Sequence, residues 1–103
     1  MTNKSFFETI YVDYQTENYT RRTSSSRNSL IRRHFLPRYG EFEMTATKPE
    51  HIENTCASME EEGMAQNTVF GAYYALLSFF KLAVEKGIIS ESPGVAAKAV
   101  GRQ

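Results

Sequence analysis

The amino-acid sequence predicts an all-α protein that folds as a single domain of four to five helices. Its 103 residues are enough for one hydrophobic core and too few for two. Apolar residues recur at intervals of three and four along several segments, most clearly along 69–84. No segment shows the strict alternation of apolar and polar residues expected of a half-buried strand, and only 41–44 is a candidate for a short extended piece.

The first helix is expected to begin with a capping box formed by Ser5 and Glu8. In this arrangement each side chain accepts a hydrogen bond from the other residue's backbone N–H. The helix should run to about Glu17 with an apolar face made of Phe7, Ile10, Tyr11 and Tyr14. A polar break follows over 19–26.

The second helix should be capped by a hydroxyl within 23–26 and run to about Leu36. Its inward face is expected to be Leu30, Ile31 and Phe35. A turn over 37–40 then separates it from the third helix, because proline and glycine favour such a break.

The third helix is predicted from a second capping box, Thr47 with Glu50, and from Pro49 in the first helical turn. Gly63 is placed to end it in the left-handed conformation. Its apolar stripe is narrow and contains Ile52, Cys56 and Met59.

The fourth helix has the strongest pattern, with an apolar face over four turns and further apolar residues around much of its circumference. A helix of this kind lies at the centre of a bundle. Gly87 should end it, 88–89 should fold back onto it, and a short helix is expected over 95–100. The apolar face contains Val69, Ala72, Tyr73, Leu76, Leu77, Phe80, Ala83 and Val84.

The net charge is zero, but the charges are segregated along the chain. Residues 19–39 contain six arginines and no acid, and residues 41–62 contain seven glutamates and one lysine, a net charge of −6. Because ordinary solvated surfaces mix both signs, the positive segment indicates an anionic partner.

The inventory of reactive side chains predicts neither an enzyme nor a metal or cofactor site. Cys56 is the only thiol, Asp13 the only aspartate, and His34 and His51 the only histidines, none at metal-ligand spacing. No glycine-rich phosphate loop or nucleophile elbow occurs. The sequence also shows no secretory signal and no expected membrane span, so an intracellular protein is predicted.

Two clusters of hydrogen-bond donors are candidate DNA-binding sites. The first is the stretch 20–27, whose arginines and hydroxyls surround a helix start, the setting in which proteins bind phosphates. Its candidate contacts are Arg21, Arg22, Ser24, Ser25 and Arg27. The alternative for this stretch is a solvated, flexible loop.

The second cluster opens the fourth helix with Gln66, Asn67 and Thr68. Tyr74 and Lys81 continue along the same, least apolar face, where the small residues Gly71 and Ser78 would let a ligand backbone approach. One of the three opening residues is expected to cap the helix instead, and Tyr74 has partial burial in the core as its alternative.

The order of several segments resembles the N-terminal core-binding domain of tyrosine recombinases, the phage-integrase group. The similarity covers about residues 5–95, although Ser92 precedes a proline where the family usually has asparagine. The segments that carry it are Phe6–Phe7, an Arg/Ser/Thr-rich helix, 35–40 (FLPRYG), Thr47 and Ile52, 63–69 (GMAQNTV), 80–89 (FKLAVEKGII) and Ser92–Pro93.

The resemblance implies a SAM-like orthogonal bundle over 1–95 that clamps double-stranded DNA, with the second and fourth helices toward the major groove. It implies that 96–103 begin a linker to a separate C-terminal domain, which carries the catalytic residues in this family. The other implied partners are further recombinase protomers on DNA. The implied location is the cytoplasm of a bacterium, and the protein would be encoded by the bacterium or by a phage.

Two other functions fit the sequence. One is a helical protein–protein interaction module that does not bind nucleic acid, in which the positive and negative segments pair between molecules. The other is a small, complete transcription regulator. The DNA-binding hypothesis requires that the positive segment and the start of the fourth helix form one surface, which places Arg21, Arg27 and Asn67 side by side.

Overall fold

The computed structural model describes residues 1–95 and has an all-α architecture of four helices and one extra helical turn. Helix α1 covers 3–18, with α-helical ends Asn3–Phe6 and Val12–Asn18 and a π-helical middle, Phe7–Tyr11. Helix α2 is Arg21–His34, followed by the single turn Leu36–Tyr39. Helix α3 is Pro49–Glu61 and helix α4 is Gln66–Glu85, and Met44–Ala46 and Pro93–Val95 are short 3₁₀ turns. The predicted 95–100 helix and 96–103 linker lie outside the described residues.

The cap of helix α1 stands three residues before the predicted cap, Ser5. It is Thr2, whose hydroxyl accepts the Ser5 N–H at 3.1 Å. The π turn, closed by the Val12 N–H on the Phe7 carbonyl, keeps residues four apart on one face, because it holds more residues per turn than an α-helix. As a result Gln15 is buried along with Phe7 and Tyr11.

Helix α2 also begins earlier than predicted, so most of the expected polar break is helical. Thr20 is its cap and accepts the Thr23 N–H at 3.2 Å. The hydroxyl and amide groups of Ser24 and Asn28 then lie on the inward face with Ile31. The predicted hydroxyl cap exists, but it stands three residues before the expected range.

The third helix has the predicted stripe and a different cap. Ile52, Cys56 and Met59 are buried as expected. Thr47 is not the cap, because it is buried and its hydroxyl donates to the Glu43 carbonyl. Instead the Lys48 N–H donates to His51 Nδ1 at 3.0 Å. Gly63 ends the helix at φ 84°, as predicted.

The N-terminus is bound to the segment before α3. Within 41–44 only Glu43 is extended, and Met44 begins a 3₁₀ turn, so the expectation of a short extended piece there is wrong. A single antiparallel bridge joins Thr2 to Glu43, and no strand is assigned within residues 1–95. The buried Asn3 amide donates to the Tyr39 carbonyl and to the Thr47 hydroxyl, both at 2.9 Å. These bonds close one end of the bundle.

Helix α4 is at the centre of the bundle, as predicted. Phe79 is fully buried, with the rings of Phe6 and Tyr11 at 5.1 Å and that of Phe35 at 6.2 Å. Gly87 ends the helix at φ 76°, and Ile89 folds back into the core. The eight buried side chains of α4 are Val69, Ala72, Ala75, Leu76, Phe79, Phe80, Leu82 and Ala83.

Among residues 1–95, α4 is long and apolar enough to meet the length and composition of a membrane span, which the sequence analysis did not anticipate. Its apolar side chains nevertheless pack on the other helices of the bundle. The core therefore accounts for the hydrophobicity of this helix.

Candidate nucleic-acid interface

Helix α2 displays arginines with no acidic partner. Arg21 and Arg22 are exposed in its first turn, and Arg32 and Arg33 in its last. Within residues 1–95 no arginine lies at ion-pair distance from a carboxylate. Because the guanidinium charges are not neutralised inside the described part of the chain, they remain available to an anion from outside.

Arg27 is held in place by two neighbours. One is Gln15 of α1, and the other is Tyr19, the residue that follows α1. The Arg27 Nη1 donates to Gln15 Oε1 at 3.3 Å, and its guanidinium carbon lies 4.6 Å from the centre of the Tyr19 ring. Gln15 is fully buried, and its Nε2 has no hydrogen-bond partner, so Arg27 is the partner that the structure gives to this amide. A guanidinium fixed in this way loses little freedom when it binds a phosphate.

A depression of about 400 Å³ lies where α2 packs against α4. Helix α2 contributes two cations to it, and α4 contributes Gly71 and Tyr74, the latter 59% exposed. Tyr74 is therefore a surface residue and not part of the core. The lining residues are Arg22, Thr23, Ser26, Arg27, Leu30, Gly71 and Tyr74.

A second depression, of about 170 Å³, continues on the other side of Arg27 and brings in Lys81 and Ser78 of α4. Its wall also includes Tyr14, Tyr19 and one acid, Glu85. Since Arg27 borders both depressions, they form one strip. We call it the α2–α4 surface and define it by Arg22, Ser26, Arg27, Gly71, Tyr74 and Lys81.

Arg21 and Ser25 lie on the opposite flank of α2. They line a third depression, of about 560 Å³, which contains no acid and is also bordered by Thr16, Ser24, Asn28, Ser29 and Arg32. The Asn28 Oδ1 is buried there and has no hydrogen-bond partner. The expectation that Arg21, Arg27 and Asn67 lie side by side is therefore wrong for Arg21: Arg22 and Arg27 face α4, and Arg21 lies on the other flank of α2.

The start of α4 exposes all three predicted donors. The prediction that one of them caps the helix is wrong, because the N-cap residue is Ala65 and no side chain caps the helix. Asn67 lies one turn before Gly71 on the face that continues to Tyr74. The Gln66 amide instead points toward α3 and donates to Glu60 at 3.5 Å.

Ser24 is the candidate DNA contact that the structure shows to be buried, although it borders the third depression. Its side chain is 5% exposed, and its hydroxyl donates to the Gln15 carbonyl at 2.7 Å. Gln15 and Arg32 were missed by the sequence analysis, and Ser26 lay within the predicted stretch 20–27 but was not among its candidate contacts. For Gln15 the available signal was its spacing of four from Tyr11 and of eight from Phe7, and for Arg32 its position three turns after Arg21 on one face of α2.

The structure is similar to a solved phage integrase SAM-like domain from Moorella thermoacetica, determined by NMR in solution. The match has a TM-score of 0.84 and 23% sequence identity, and it covers 100% of this chain and 88% of that one. No family model and no curated protein sequence matches the chain. The chain has the fold of a phage integrase SAM-like domain. The fold expected from the sequence resemblance is thus confirmed.

Within this SAM-like fold, one buried titratable group lies beneath the α2–α4 surface. The Tyr11 hydroxyl points at the Ala75 carbonyl at 3.5 Å. Burial raises the pKa of the Tyr11 phenol above its usual 10.0, and a hydrogen bond with Ser78 and the charge of Arg27 lower it in part.

Across residues 1–95 no three His, Cys, Asp or Glu side chains are grouped so that they could hold a metal ion.

Proposed function

We propose that the chain is the DNA-binding domain of a phage-integrase-type tyrosine recombinase and that it holds duplex DNA on the α2–α4 surface. The observation that carries this proposal is the convergence of Arg22, Arg27 and Lys81 from two helices on one strip, with no carboxylate of residues 1–95 at ion-pair distance from them. The SAM-like fold supports it, because the similar solved domain is described as part of a phage integrase.

The arrangement of donors suggests how a duplex would be held. An α-helix with its side chains is about 10–12 Å across, and the major groove of B-DNA is about 12 Å wide. With α2 in the groove, its flank toward α4 would meet the phosphates of one strand. The opposite flank, with Arg21, Ser25 and Arg32, would meet those of the other strand.

Individual residues then have distinct roles. Arg22, Arg27 and Lys81 bind phosphates, and Asn67 and Thr68 add neutral donors at the start of α4. Tyr74 lies beside these groups and contacts sugars or base edges. Gln66 is a weaker candidate because Glu60 is next to it.

Strand cleavage and joining are assigned to a separate C-terminal catalytic domain of a longer protein. This chain would then bind DNA, that catalytic domain and neighbouring recombinase protomers during DNA integration and recombination. Such a protein would act in the cytoplasm of a bacterium, encoded by a mobile element or phage.

Titration of labelled duplex DNA at several salt concentrations tests the proposal. If about four phosphates are neutralised, log K falls with log salt concentration at a slope near −3.6, and affinity at physiological salt is about 10⁻⁴–10⁻⁶ M. Arg22→Ala and Lys81→Ala, one from each helix, should each make the slope shallower by about 0.9 for all DNA sequences alike.

Arg38→Ala is the matched control, since Arg38 is an exposed arginine of the turn after α2 that borders none of the three depressions. It should leave the slope unchanged. Binding that is absent or insensitive to salt would contradict the proposal and favour a protein–protein interaction module. An equal effect of all three substitutions would show that the surface is placed wrongly.

A further inference from the structure

Gly71 is the only glycine within α4, a helix of 20 residues, and it lies well inside the helix. Glycine in a helix interior is destabilising relative to alanine because it loses more backbone freedom on folding. A glycine at this position therefore needs a reason that outweighs its cost to stability.

Neither backbone conformation nor packing supplies that reason. Gly63 and Gly87 have positive φ angles, but Gly71 does not. A Cβ at Gly40 would lie 2.6 Å from the Leu36 carbonyl oxygen, whereas a Cβ at Gly71 would have Leu30 Cδ1 as its neighbour at 3.5 Å. Since 3.5 Å is an ordinary van der Waals distance, the bundle has room for alanine at position 71.

The missing side chain instead leaves space on the outside of the helix. Gly71 lines the 400 Å³ depression between α2 and α4. Arg22, Arg27 and the Ser26 hydroxyl border the same depression, and exposed Tyr74 stands on the next turn of α4. Donors and the Leu30 side chain thus line a depression in which Gly71 itself presents only backbone, an arrangement in which a ligand's own backbone can come close.

We infer that Gly71 is the point of closest approach for the nucleic-acid strand, with a phosphodiester group seated against the helix backbone between Arg22 and Arg27. This inference rests on the proposed DNA-binding function and adds a positioning residue to it. A methyl group at position 71 would hold the strand away from the guanidinium groups.

Gly71→Ala separates this role from a structural one because it should change stability and binding in opposite directions. We expect the midpoint of thermal unfolding to rise by about 4–8 °C, as alanine favours the helix. Affinity for duplex DNA at low salt should fall about tenfold, the effect of losing one hydrogen bond to a charged group. Asn54→Ala, at an exposed site on α3, is the control: it also improves helix propensity and should leave affinity unchanged.

Each outcome distinguishes the two proposals. A more stable variant that binds DNA as tightly as the parent overturns the role of Gly71 and leaves the proposed function standing. A less stable variant overturns it as well, since packing would then require the glycine. If neither the parent nor the variant binds DNA at any salt concentration, the proposed function fails and the inference fails with it.

Discussion

Arg27 is the residue at which the core and the candidate interface meet. Its guanidinium contacts a fully buried amide on one side and the ring of Tyr19 on the other, and it also borders two surface depressions. A cation fixed from inside the protein presents its remaining donors in one direction. Arg22, by contrast, is exposed and must lose side-chain entropy on binding.

The buried Tyr11 phenol should make the free energy of unfolding of the domain fall at alkaline pH. Its pKa is raised in the folded state, so the contribution of its neutral form is complete below the unfolded value of 10.0 and is lost as pH rises through the folded value. We expect thermal stability to fall more steeply above pH 10.0 in the parent than in Tyr11→Phe. Parallel unfolding curves of the two proteins would contradict this.

At the residue scale, the sequence predicted the kind of donor but not always its direction. Ser24 and Ser25 are adjacent and chemically identical and both border the third depression, yet Ser24 is buried and bonds inside the bundle, whereas Ser25 is exposed. Which serine faces inward depends on the rotation of α2, and therefore on the packing of Ile31 and Phe35. An isolated run of hydroxyls carries no such information.

At the element scale, the apolar patterns predicted α1 to α4 and the two C-terminal glycines, but the N-terminal caps were misplaced. Threonine and serine are so frequent in 20–29 that several residues satisfy the rule for a helix start. Thr20 is selected because α1 is next to α2 there, and the Ser24 hydroxyl bonds to the end of α1. That contact is tertiary and has no signal in local sequence.

The start of α3 depends on His51, which both accepts the Lys48 N–H and stacks on Tyr39 with ring centres 4.7 Å apart. We expect His51→Ala to lower the free energy of unfolding by about 0.5–2 kcal/mol, the range for loss of a capping acceptor. His51→Gln should fall between parent and alanine variant, since its amide oxygen can accept the same N–H. Chemical denaturation measures both, and an alanine variant as stable as the parent would contradict the role.

At the scale of the whole molecule, the segregated charges occupy different helices. Five of the six arginines of 19–39 are on α2, and the glutamates of 60–62 are at the end of α3, where the bond from Gln66 to Glu60 places them beside the start of α4. One edge of the candidate interface therefore borders negative charge. The sequence predicted the segregation itself, but this adjacency needed the packing of α3 on α4.

Neutralising that edge should strengthen DNA binding. Glu61→Gln is expected to tighten duplex binding by about twofold to fivefold at low salt, and the gain should disappear above about 0.1 M salt, where charges more than about 10 Å apart are screened. Glu50→Gln, at an exposed site at the other end of α3, is the matched control and should have little effect. Equal gains from both substitutions would indicate a general charge effect and not a local one.

The π turn in α1 determines how the first helical turn, Asn3–Phe6, is rotated about the helix axis relative to the rest of α1. Removing one residue from the exposed part of that turn, such as Thr9, would return the helix to regular winding and rotate the first turn by about 100° relative to Tyr11 and Gln15. Asn3 would then leave its partners Tyr39 and Thr47, and Phe6 would leave Phe79. The length of this short segment is thus under tighter constraint than its composition: exchanging Thr9 is tolerable, whereas deleting it would disengage the beginning of the chain from the bundle.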